Sequence, residues 1–190
     1  MNKRTKLQKD KGRLGKYMAE HVDVLLTEEE VDAKIREIAE QINKDYEGKE
    51  LHIICILKGS IFFTCELAKR ISVPVTLDFM QVSSYGSDTK SSGVIKIAKD
   101  LDESILERDI LVIEDIVDSG NTIVELKRIL EEKGAAESRI CTLLFKPYAY
   151  KKDIKLDYIA MEIPNDFIVG FGLDYDELGR NYKDIYVLDE

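Results

Sequence analysis

The sequence predicts an α/β fold, a central and mainly parallel sheet flanked by helices, on three observations. Continuous apolar runs at 51–57, 110–113 and 139–145 are bounded by polar turn residues, the pattern of strands buried on both faces of a sheet. Helical periodicity follows the first two runs, through Ile61, Phe62, Leu67 and Ile71 and then Val124, Leu126, Ile129 and Leu130. The joints between strand and helix are short and polar: Lys58-Gly59-Ser60 in one case, Asp118-Ser119-Gly120-Asn121-Thr122 in the other.

In chain order, residues 21–27 form an extended lead-in. Thr27 then caps a helix, with Glu30 completing a capping box and Gly48 as the stop. Val31, Ile35, Ile38, Ala39, Ile42 and Tyr46 make its apolar stripe. Leu51–Leu57 is the first central strand, and Val75–Val82 the next, entered through Pro74. Residues 83–93 then lose all periodicity. They read either as a hairpin loop or as a mobile lid, and 94–98 returns as the paired strand. The central strand at 110–113 runs into Glu114-Asp115, and its helix should stop at Gly134. Arg139–Phe145 is a strand ending at Lys146-Pro147, Asp157–Ile163 another, and Ile185–Leu188 the last. The aromatic and glycine-rich segment 167–180 reads, by composition, as a strand and turn packed on the core.

A chain of 190 residues with 44% hydrophobic and 34% charged residues fits one soluble domain. No apolar stretch has membrane-spanning length and no apolar leader opens the sequence, so the expectation is a cytoplasmic protein without a membrane partner. Cys55, Cys65 and Cys141 lie in apolar segments without metal-ligand spacing, as reduced core thiols do. The net charge of −9 is uneven. Residues 1–16 hold seven Lys/Arg against Asp10, leaving 21 basic and 36 acidic residues elsewhere. The organisation expected is a mobile basic arm over 1–20 and a single domain over 21–190, whose acidity argues against general nucleic-acid binding.

The chemistry centres on residues 110–123. A polar turn between a strand and a helix N-terminus offers unpaired N–H groups and the positive end of a helix dipole, which suit a phosphate. The nucleotide-triphosphate loop spacing is missing. Two adjacent carboxylates, Glu114 and Asp115, stand there instead and can hold ribose hydroxyls directly or through Mg²⁺. Taken alone, such a pair also describes a solvated acidic loop. The full register of aliphatics, Glu-Asp, two aliphatics, Asp-Ser-Gly and Thr resembles the 5-phosphoribosyl-pyrophosphate (PRPP) motif of type I phosphoribosyltransferases.

Further segments fall in chain order: Leu-Lys-Gly at 57–59, Leu-Leu-Phe-Lys at 143–146, Glu-Ile-Pro-Asn-Asp-Phe at 162–167, and Val-Gly-Phe-Gly-Leu-Asp-Tyr at 169–175 with Arg180. Together they resemble the hypoxanthine-guanine phosphoribosyltransferase family over roughly residues 20–190. The resemblance implies the type I fold with a small hood built from both chain ends. It implies purine salvage from PRPP and a 6-oxopurine with Mg²⁺, in a homodimer or homotetramer. It also implies residue roles. Ser119, Gly120, Asn121 and Thr122 hold the 5′-phosphate, while Glu114 and Asp115 orient the ribose and the metal shell. Asp118 handles the proton at purine N7. Lys58, Gly59 and Arg180 meet pyrophosphate, the Lys-Gly turn through its backbone and often with a cis peptide. Lys146 donates to the 6-oxo group, Phe167 stacks on the base and the main chain of Ile168 reads its edge. Asp174 joins a second metal site, and Ser84-Tyr85 belong to the lid. Asn121 departs from members that carry Lys in the turn. The alternative is a nucleic-acid-binding regulator on the same fold, for which the basic arm is the supporting feature.

Overall fold

The structure, a computed structural model, describes residues 22–84 and 95–188. Strand β1 (Val22–Leu26) enters helix α1 (Glu28–Asp45) through Thr27. The capping box forms as its sequence predicts: the Thr27 hydroxyl accepts from Glu30 N–H, and the Glu30 carboxylate accepts from Thr27 N–H at 2.8 Å. There follow β2 (Leu51–Leu57), α2 (Ile61–Ala68), β3 (Val75–Ser84), β4 (Ile95–Lys99), β5 (Asp109–Val117), α3 (Asn121–Glu132), β6 (Glu137–Phe145), β7 (Tyr158–Glu162), β8 (Ile168–Val169) and β9 (Ile185–Leu188).

Six strands form the main sheet in the order β4-β3-β2-β5-β6-β7, parallel everywhere except between β3 and β4. Alternate residues of the central strands feed two cores. Ile53, Leu111 and Ile113 pack with α1 and α2, while Ile54, Ile56, Ile110 and Val112 pack with Ile123, Leu126 and Ile129 of α3. From β2 the chain moves outward to β3, then returns to β5 on β2's other side. Connections therefore diverge between β2 and β5, the point at which open α/β sheets form their ligand crevice. His52 lies opposite Ile110 and Cys55 opposite Ile113, so the turns after both strands emerge at one end.

The second sheet, β1-β9-β8, is antiparallel and joins the chain's two ends, with Asp23 opposite Val187. The extended lead-in is thus a strand of the hood. Ile168, Phe171, Leu173 and Ile185 carry this unit onto the α1 side of the core.

Four sequence expectations change, the simplest being that Cys65 is exposed on α2 while Cys55 and Cys141 are buried. Strand β5 continues past Glu114-Asp115 to Val117, so the carboxylates belong to the strand. Helix α2 buries Phe63, Thr64 and Leu67 and leaves Ile61 and Phe62 about two-fifths exposed, because an eight-residue helix presents one i,i+4 stripe and it starts at Phe63. Helix α3 buries Ile123 rather than Val124, and ends at Gly134 in a Schellman arrangement, with Ala135 N–H reaching Leu130 O at 3.1 Å. Among the described residues, no helix is long and apolar enough to cross a membrane.

Candidate active site

The turn from β5 to α3 is shaped by Gly120. Its φ of +81° is left-handed, and a Cβ there would meet the Tyr150 ring at 2.4 Å and Lys152 Cγ at 2.8 Å. Tyr150 is itself fixed, donating its hydroxyl to Ile154 O at 2.6 Å and meeting Phe145 edge-on. No side chain caps α3. Its first-turn N–H groups, those of Asn121 and Thr122 among them, therefore have no capping side chain, which is the local requirement for an anion site.

The other wall is the β2–α2 turn, where the Leu57–Lys58 peptide is cis. Gly59 lies so close to Asp115 that a Cβ would fall 1.6 Å from its Oδ2, and a Cβ on Gly172 would fall 2.0 Å from Gly59 O. Three segments far apart in sequence meet here with no room for side chains. Ser60, buried behind the turn, ties it down by donating its hydroxyl to Ile56 O at 2.6 Å.

Strand alternation puts Asp115 in register with Leu111 and Ile113, and Glu114 in register with Ile110 and Val112. The two carboxylates flank the strand end. Burial pushes the Glu114 carboxyl well above the usual carboxylate range, with Asp115 adding repulsion. Burial also raises Asp115, to about 6, against the Ile116 N–H and Arg180; Asp174 pushes the same way as burial.

Lys146, at the end of β6, is buried, and its Nζ lies 3.6 Å from Asp118 Oδ2 on the exposed lip of the turn. Phe167 is two-fifths exposed and meets Tyr175 edge-on at 5.6 Å, while Ile168 is buried within β8. Arg180 binds Asp174 through Nη2 at 2.7 Å and donates from Nη1 to Gly172 O at 2.8 Å. Lys58 Nζ is 2.9 Å from Glu177 Oε2, so the β2–α2 turn is bridged to the 174–180 segment. Ser84 ends β3; Tyr85 and the rest of the expected lid lie outside the described residues.

Mg²⁺ takes hard oxygen donors, usually one or two carboxylates together with substrate oxygens and waters. Among the described residues, no three acidic, His or Cys side chains form a ready metal cage. Two strand-end carboxylates whose ionisation burial opposes, with Asp174 near enough to raise one of them, fit a cation that shares its shell with a phosphorylated sugar.

The roles of Glu177, Ser60 and Gly172 are not legible in the sequence. The first carries no motif, and its position is visible only when the 170s turn is folded onto Lys58. Gly172 lies within the Val-Gly-Phe-Gly-Leu-Asp-Tyr segment and the glycine-aromatic density of 167–180, but neither signal shows its approach to Gly59.

Fold and crevice place the chain in a known class: the phosphoribosyl transferase domain family matches residues 21–176. Hypoxanthine-guanine phosphoribosyltransferase of Mycobacterium tuberculosis is 47% identical over 179 residues, covering 91% of this chain and 89% of its own. The protein of that name from Lactococcus lactis is 48% identical over 165 residues, covering 87% and 90%. A crystal structure of hypoxanthine phosphoribosyltransferase from Staphylococcus aureus superimposes with a TM-score of 0.87 at 43% identity, over 90% of this chain and 94% of that one. This chain belongs to the hypoxanthine-guanine phosphoribosyltransferases.

Proposed function

We infer that this chain is a purine-salvage enzyme that transfers the 5-phosphoribosyl group of PRPP to N9 of hypoxanthine or guanine, giving IMP or GMP and pyrophosphate. The observation that carries the choice of base is the Lys146–Asp118 pair, 3.6 Å apart. A 6-oxopurine presents O6 and N7 side by side on one edge. A buried ammonium suits O6, and the adjacent carboxylate suits a proton at N7. Adenine presents a 6-amino donor to the same ammonium and is disfavoured.

Ser119, Gly120, Asn121 and Thr122 would bind the 5′-phosphate through N–H groups and hydroxyls, with Asn121 leaving backbone donors in place of a cation. Glu114 and Asp115 would orient the ribose hydroxyls. Phe167 would stack on the base, and the Ile168 main chain would read its edge. As N9 bonds to C1 of the ribose, the bond from C1 to pyrophosphate breaks, and Asp118 takes the N7 proton, a step worth about 10²–10⁴-fold in rate. Arg180 and the Lys58-Gly59 backbone would meet the departing pyrophosphate with charge and N–H donors. Asp174, with Glu114 and Asp115, would hold Mg²⁺, which when bound neutralises charge on PRPP and its leaving group. The acidic body and the relatives lend no support to a nucleic-acid-binding regulator. A cytoplasmic homodimer or homotetramer completes the reading, on family membership.

A steady-state assay with PRPP, Mg²⁺ and each base tests it. Hypoxanthine and guanine should turn over, and adenine at under a hundredth of their rate. Equal turnover of adenine would overturn the role of the Lys146–Asp118 pair.

A further inference from the structure

Residues 174–180 hold a carboxylate that the proposed reaction leaves without a task. Tyr175 and Leu178 exchange N–H···O bonds of 2.9 and 3.1 Å around a two-residue turn, Asp176-Glu177. Both turn residues have positive φ, +51° and +68°. A turn of that kind favours glycine at its second central position, and a long side chain there is strained. The strained residue is the one whose carboxylate reaches Lys58 Nζ at 2.9 Å and Arg180 Nη2 at 3.5 Å. Lys58 draws the Glu177 carboxyl below the usual range, with Arg180 contributing.

We propose that Glu177 is a positioning residue that acts as an internal competitor for pyrophosphate, its carboxylate standing where a phosphate oxygen would pair with Lys58 and Arg180. The proposal rests on the assignment of pyrophosphate to the Lys58-Gly59 backbone and Arg180, and adds the Lys58 ammonium to those donors. A ligand that takes those cations must displace Glu177, and the carboxylate returns as the product leaves. Both partners are more than half exposed, at 53% and 64%, so the bridge adds little to the fold. A weak bridge suits a competitor: it opposes the ligand without closing the site. The effect is selective by construction. It should weaken pyrophosphate and PRPP, and it should leave a nucleoside monophosphate, which lacks the pyrophosphate, unaffected.

The test is calorimetric binding of pyrophosphate with Mg²⁺, and of IMP, to the parent, Glu177→Gln, Glu177→Gly and Arg180→Gln. Both Glu177 variants should bind pyrophosphate roughly two- to fivefold more tightly, the scale of an exposed ion pair, with IMP affinity within about 1.5-fold of the parent. Glu177→Gln keeps the backbone strain and Glu177→Gly relieves it. Tightening in the glycine variant alone would assign the effect to the backbone and overturn the proposal. Unchanged or weaker pyrophosphate binding in both variants, with IMP binding intact, would also overturn it. Arg180→Gln should weaken pyrophosphate at least tenfold. If it does not, the pyrophosphate assignment itself fails, an outcome distinct from failure of Glu177.

Discussion

Helices α1 and α3 begin in opposite ways. The first has its donors closed by Thr27 and Glu30, with Glu28, Glu29 and Glu30 set against its dipole. The second starts from a left-handed glycine, with no side-chain cap and no acidic residue in its first turn. Both helices bury an apolar stripe of similar kind, so packing does not explain the contrast. Helix α1 closes its terminus with side chains, and α3 leaves uncapped the terminus where the phosphate site is proposed. The same division runs through the carboxylates: those of α1 are exposed caps, whereas Glu114 and Asp115 are placed where burial opposes their charge.

The largest effect that would break this contrast belongs to Asp118, on the lip of the open terminus. Asp118→Asn should lower kcat by about 10²-fold or more, while PRPP affinity changes by less than about fivefold. Its exposed position predicts an unchanged melting temperature. Steady-state kinetics with calorimetric PRPP binding separates the two quantities. Equal losses in both, or none in either, would remove Asp118 from the proton step.

A smaller effect concerns Asp115. Its pKa is raised from 3.8 to about 6, so the folded form holds the proton more tightly than the unfolded chain does. Stability is therefore lost as pH rises from about 4 through 6, by roughly 3 kcal/mol at most. Asp115→Asn should melt higher than the parent at pH 8 and show little difference at pH 4. In the parent, affinity for Mg²⁺-PRPP should fall as pH drops below about 6, because the proton competes with the cation; in the variant, affinity should be lower throughout and flat in pH. Melting curves and calorimetry at both ends of the range decide this. A pH-independent difference in melting temperature would mean that ionisation at Asp115 is not what strains the site.

The features legible in the sequence are those written locally. Thr27 with Glu30, the stripe of α1, the stop at Gly134 and the Ser119–Thr122 turn each depend on residues a few positions apart. Periodicity also found the central strands, but the point where β5 ends was lost because Glu114 and Asp115 look like turn residues while their backbone stays in the ladder. The pairing of β1 with β9 depends on residues more than 150 apart, and only family resemblance suggested the hood. The Gly59–Asp115–Gly172 contact is of the same kind. Exposure of Phe62 turned on which residues of a short helix face the core, Phe63 and Thr64 in place of Ile61 and Phe62, a choice that periodicity over eight residues does not resolve.

The smallest expected effect sharpens the contrast from the stable side. Thr27→Ala removes the hydroxyl that accepts from Glu30 N–H and weakens the reciprocal bond to Thr27 N–H. Loss of such a cap costs about 1 kcal/mol, within a range of about 0.5–2. Because α1 packs on the hydrophobic face away from the phosphate turn, KM for PRPP and kcat should both stay within about twofold of the parent. Denaturant unfolding with unchanged m-value, run beside the kinetic assay, measures both halves of the prediction. Glu28 N–H also donates to Asp184 Oδ1 at 2.8 Å, which ties the start of α1 to the hood. If Thr27→Ala instead raised KM for the purine, the α1 terminus would be transmitting strain to β8 and β9, and the division between a stabilising helix end and a working one would not hold.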